Sequence, residues 1–120
     1  MAKGALSEKS FKFSVRIVKL SQFLIAEKKE FILSKQILRS GTSIGALTRE
    51  SEFAESKADF IHKLSIALKE ANETIYWLDL LKETSYINDD MYSSLFSDAE
   101  ELLKLLISII KKTKSNLNRV

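Results

Sequence analysis

The chain has 120 residues, 45% hydrophobic and 29% charged, a size and balance that fit one folded domain and exclude wholesale disorder. It has no proline and three glycines, which favours long helices, and no cysteine, which excludes disulfides and thiolate metal sites. The net charge of +3 conceals a segregation: residues 1–49 hold ten basic and three acidic side chains, residues 50–101 four and thirteen, and residues 102–120 five and none.

The stretch Met1 to Ser10 lacks the apolar core of a signal peptide, so a cytoplasmic location is expected. Leu102 to Ile110, the most apolar stretch, contains Lys104 and falls far short of the roughly 20 residues that cross a bilayer, so no membrane partner is expected.

A first helix is predicted over about 6–28, where Leu6, Ser10, Phe13, Ile17, Leu20 and Leu24 alternate by four and three residues and draw one stripe. On another face Lys9, Lys12, Arg16 and Lys19 share a ridge. A second helix is predicted over about 34–53, with Ser34 as its N-cap. Inside it Gly41 and Gly45 each cost about 1 kcal/mol against alanine, a penalty best explained by close approach of a neighbouring backbone. Lys35, Arg39 and Arg49 fall on one side of this helix at 100° per residue.

Ser56 and Asp59 read as a capping box that opens a third helix over about 56–83, followed by the unbroken four-three row Phe60, Leu64, Ala67, Ala71, Thr74, Leu78 and Leu81. Asn88, followed by Asp89 and Asp90, caps a fourth helix over about 88–114. Its apolar face is wide: Tyr92, Phe96, Ala99, Leu103, Leu106 and Ile110 run beside a second row of Leu95, Leu102 and Ile109. A four-helix monomer should cover only one side of such a helix, so Leu95, Leu102, Leu105, Leu106 and Ile109 are predicted to form a subunit interface. Residues 115–120 are expected to fray. The whole, 1–120, is predicted to be one all-α domain, an up-down-up-down four-helix bundle.

No catalytic constellation emerges. Asp59 and His62 form one carboxylate-x-x-His step, but a di-iron bundle needs two, and His62 is the sole histidine. No nucleophile signature surrounds any serine. The chain is therefore read as a non-enzyme with no metal, cofactor or small-molecule substrate. Trp77, Tyr76 and Tyr86 are assigned to core or interface, leaving no exposed aromatic platform for base stacking.

The string from Ser34 to Glu50, SKQILRSGTSIGALTRE, with that from Asp59 to Leu81, DFIHKLSIALKEANETIYWLDLL, resembles the bacterial family first noticed as reading frames inside intervening sequences of 23S rRNA genes. The resemblance covers about residues 10–112. It implies a left-handed four-helix bundle. Relatives include accessory proteins of diversity-generating retroelements, which form pentameric rings with basic surfaces, so a homopentamer is the implied assembly. The family commonly carries asparagine where Leu47 stands, while Arg39, Ser40, Ser43 and Glu50 match its polar positions. With the charge pattern, this points to RNA or a ribonucleoprotein held through phosphate contacts at Lys9, Lys12, Arg16, Lys19, Lys35, Arg39 and Arg49. The alternative is a scaffold that recognises another protein with the same charges.

Overall fold

The computed structural model describes residues 4–117. Four α-helices account for most of them: α1 Ala5–Lys28, α2 Leu33–Ser51, α3 Lys57–Glu83 and α4 Asp89–Leu117, with no strand among the described residues. Consecutive helices pack on one another and α1 packs more lightly on α4, giving a body of 54 × 22 × 20 Å. α4 continues helical through Leu117, so the expected fraying does not begin at Ser115; residues 118–120 lie outside those described.

Local chemistry sets most of the helix ends. Ser56 Oγ accepts from the Asp59 amide at 3.0 Å, while Asp59 Oδ2 accepts from the Glu55 amide at 3.1 Å, so both partners of the predicted box satisfy backbone donors. Asn88 Oδ1 accepts from the Met91 amide at 2.8 Å. Ser34 is a correction: α2 starts at Leu33, and Glu30 caps it from the preceding loop, accepting from the Ser34 amide at 2.8 Å and the Ile32 amide at 3.3 Å. The Ser34 side chain turns inward instead and is buried.

The predicted stripe of α1 and that of α3 from Leu64 onward form the core, while Phe60, at the head of the α3 row, is half-buried against it. Leu6, Ser10, Phe13, Ile17, Leu20 and Leu24 are all buried, as are Leu64, Ala67, Ala71, Thr74, Leu78 and Leu81. Both glycines are sites of close approach, but only Gly45 meets a neighbouring backbone; at Gly41 the neighbour is the Ile17 side chain. A Cβ on Gly41 would lie 2.7 Å from Ile17 Cγ1, and one on Gly45 would lie 3.2 Å from the Ser10 carbonyl oxygen, so α2 meets α1 at a spacing that larger residues do not allow.

The wide face of α4 is resolved differently from expectation. Leu95, Leu102 and Leu106 are buried inside the protomer, where a second subunit cannot reach them. Leu105 and Ile109, half-buried, pack against the same core. The exposed side of α4 is instead rich in small and charged groups, among them Ser93, Ser97, Lys104, Ser108 and Lys111, with Ile107, 46% exposed, the large apolar side chain in their midst. The flanking helices α1 and α3 cover Leu95, Leu102 and Leu106 fully and Leu105 and Ile109 in part.

Candidate interaction faces

The seven predicted cations separate into two groups. Arg16 Nη1 donates to Asp98 Oδ2 at 2.7 Å, and its Nη2 donates to Ser94 Oγ at 2.9 Å. Lys9 pairs with Glu101 at 3.1 Å. Both are clamps between α1 and α4, where helix contact is lightest. Arg39 lies between Glu70, at 3.1 Å, and Glu73, and so joins α2 to α3. These three are neutralised by acids of a neighbouring helix, the bland reading of the charge segregation.

Lys12, Lys19, Lys35 and Arg49 are exposed and, among the described residues, make no ion pair with another helix. Lys12 is 3.7 Å from Glu8, one turn away on its own helix, a pair of little strength at such exposure. The Arg49 guanidinium sits 5.9 Å from the centre of the Phe11 ring, across the α1–α2 seam.

Between these cations runs a feature the sequence reading missed. Phe11, Val15, Val18 and Ile25 are 57%, 40%, 39% and 40% exposed, and with Gln22 between the last two they repeat at four-three spacing along the outside of α1. A shallow groove of about 400 Å³ adjoins the stripe, lined by Phe11, Ser14, Thr42, Gly45, Ala46 and Arg49. The same glycine that admits close packing therefore also leaves the seam open beside Phe11. The signal was present in the sequence as a second heptad row on α1, interleaved with the lysines.

Other polar groups bind helices together. The Ser40 and Thr74 hydroxyls are hydrogen-bonded at 2.9 Å in the buried α2–α3 seam. Arg39 and Ser40 of one resemblance string thus meet Glu70 and Thr74 of the other. Tyr92 donates to Asp79 Oδ1 at 2.6 Å, and that bond, with burial, raises its hydroxyl to about 12. His62 is exposed. Among the described residues, no group of three or more histidines and carboxylates converges as metal ligands would. Tyr76, expected at a covered position, is 57% exposed, with its ring edge-to-face on Trp77. Among the described residues, no helix is long and apolar enough to cross a membrane.

Glu73 offers a spectroscopic handle. The Trp77 indole N–H donates to Glu73 Oε2 at 2.9 Å, and this bond first, then Arg39, holds the carboxyl below its ordinary value. A carboxylate depressed on folding contributes stability above its unfolded value, lost as pH falls through the lower folded value. Because Trp77 is the sole tryptophan, its emission is expected to change in a step below the ordinary glutamate range, and Glu73→Gln should remove that step. An acid transition unaffected by Glu73→Gln would assign it elsewhere.

A family model described as 23S rRNA-intervening sequence protein matches residues 4–108. Among solved structures, a protein of unknown function from the S23 ribosomal protein family of Bacteroides thetaiotaomicron VPI-5482 is 63% identical and aligns with a TM-score of 0.89. That match covers 89% of this chain and 99% of the other. Comparison with curated proteins returns no match.

Proposed function

The chain belongs to the 23S rRNA-intervening sequence protein family, and from that premise we propose that it is a non-catalytic docking protein. In this reading an up-down-up-down, left-handed bundle self-associates into a closed ring, pentameric as the family resemblance implies, and presents its remaining surface to a macromolecular partner. The observation that carries it is the exposed row Phe11, Val15, Val18 and Ile25. Apolar groups aligned at heptad spacing on a solvent face are covered by another helix in a working protein, or they aggregate.

The test is native mass by light scattering. The unaltered chain is expected to run as a multiple of 13.7 kDa. Val15→Asp with Val18→Asp should reduce it to a single chain while keeping cooperative melting, because both side chains already lie outside the core. A wild-type mass of one chain at micromolar concentration would overturn the proposal.

A second reading is supported by Lys12, Lys19, Lys35 and Arg49, which lie on α1 and α2 with, among the described residues, no acid from another helix to neutralise them. In it the ring binds RNA or a ribonucleoprotein through phosphate contacts. Binding to structured RNA should then weaken steeply with salt, each single-strand phosphate contact adding about 0.7 to the log-log slope. Lys35→Glu with Arg49→Glu should lower that slope by about 1 to 2, whereas no binding at low salt would end this reading.

A further inference from the structure

The stripe on α1 needs a cover, and the bundle itself displays a surface of matching chemistry. α1 and α3 each pack on α2 and α4 but not on one another, so they occupy opposite corners and their outer faces point apart. α1 turns outward its apolar row, with Lys19, Lys28 and Lys29 exposed along its C-terminal half and just beyond, against one exposed acid, Glu27. On α3, Ile66, Tyr76 and Leu80 fall on one side at 100° per residue, half-buried except for the exposed Tyr76. Of the carboxylates in the C-terminal half of α3, Glu70 and Glu73 are already paired with Arg39, which leaves Asp79, an acceptor for Tyr92, and the exposed Glu83 against one cation, Lys82. Each face is thus an apolar row edged by charge, and the edges have opposite sign.

Length agrees as well, since α1 has 24 residues and α3 has 27, so the two can lie side by side along nearly all their extent. Pairing α1 with a copy of itself is less favourable. A two-fold axis near Val18 would set Lys19 against its own counterpart, and like charges brought together across an interface are costly. Docking α1 on α3 instead sets lysines against carboxylates and covers both apolar rows at once.

We propose that the outer face of α1 in one copy docks on the outer face of α3 in the next. The inference rests on the self-association proposed above and specifies its surfaces. Because the two faces differ, the contact is heterologous: each copy has one of each, and assembly continues until rotation closes a ring.

The absence of cysteine gives a direct test. Gln22→Cys and Asn72→Cys place one thiol on each face at exposed polar positions, leaving every apolar and charged side chain in place. With a short bismaleimide, the doubly substituted chain is expected to yield a ladder of covalent multimers beyond the dimer, and each single variant to remain one chain on a denaturing gel. Efficient dimers from Gln22→Cys alone would overturn the α1–α3 docking while leaving self-association intact. An assembled protein in which the double variant forms no ladder would also overturn it. A protein whose native mass is that of one chain would overturn both the docking and the reading beneath it.

Discussion

Leu106→Asp is expected to abolish the folded state rather than to separate subunits. Leu106 is 0% exposed and belongs to the central cluster with Leu102, Ala99 and Leu95. Removing a buried leucine costs about 2–5 kcal/mol through lost transfer energy and the cavity left behind. An aspartate in its place also loses hydration with no cation to receive it, a further penalty of several kcal/mol per ion. Together these rival the roughly 5–15 kcal/mol that holds a typical domain folded. Far-UV circular dichroism should therefore show no cooperative melt for Leu106→Asp, while Val15→Asp with Val18→Asp still melts cooperatively. Cooperative melting of Leu106→Asp at a near-native temperature would remove Leu106 from the core.

The contrast between Leu106 and Val15 also marks how far a single chain can be read. The α3 row was legible because Leu64 to Leu81 keeps one unbroken spacing, and a helix with one narrow stripe has one direction in which to bury it. The caps at Ser56 and Asn88 were legible because capping is decided within four residues. Ser34 failed for a related reason: its rival, Glu30, sits in the preceding loop, and its reach back to the Ser34 amide depends on the path of that loop.

α4 misled because periodicity reports how wide an apolar face is, and width alone does not name the neighbour that covers it. Leu105 and Ile109 on one flank and Leu103 on the other pack against the protomer's own core. The cations show the same limit of local pattern. Angles of 100° per residue placed Lys9, Lys12, Arg16 and Lys19 on one ridge, and that was sound geometry. Only the packed structure brings Glu101 to Lys9 and Asp98 to Arg16, leaving Lys12 and Lys19 outside. The fold was therefore written largely in local patterns, whereas the functional surface is what remains after distant helices have taken their partners.

Ile17 and Gly41 provide the second large effect, expressed as a coupling. Ile17 is 0% exposed, so Ile17→Ala is expected to cost about 2–5 kcal/mol. Gly41→Ala sets a Cβ 2.7 and 2.8 Å from the two γ carbons of Ile17, and 3.1 Å from its δ carbon. A β-branched side chain in a helix has one strongly preferred rotamer, so Ile17 cannot swing aside and α1 must move from α2. Overpacking of this kind costs about 1–3 kcal/mol, and alanine's better helix propensity returns up to about 1. Gly41→Ala should thus destabilise the native protein by roughly 1 to 2 kcal/mol. In the Ile17→Ala background both γ carbons are gone, and the same substitution should instead stabilise by up to about 1 kcal/mol. Denaturant melts of the four chains measure the coupling, expected within the roughly 0.5–3 kcal/mol range of contacting pairs. If Gly41→Ala proved neutral or stabilising with Ile17 intact, the close approach of α1 and α2 would not be what excludes a side chain at position 41.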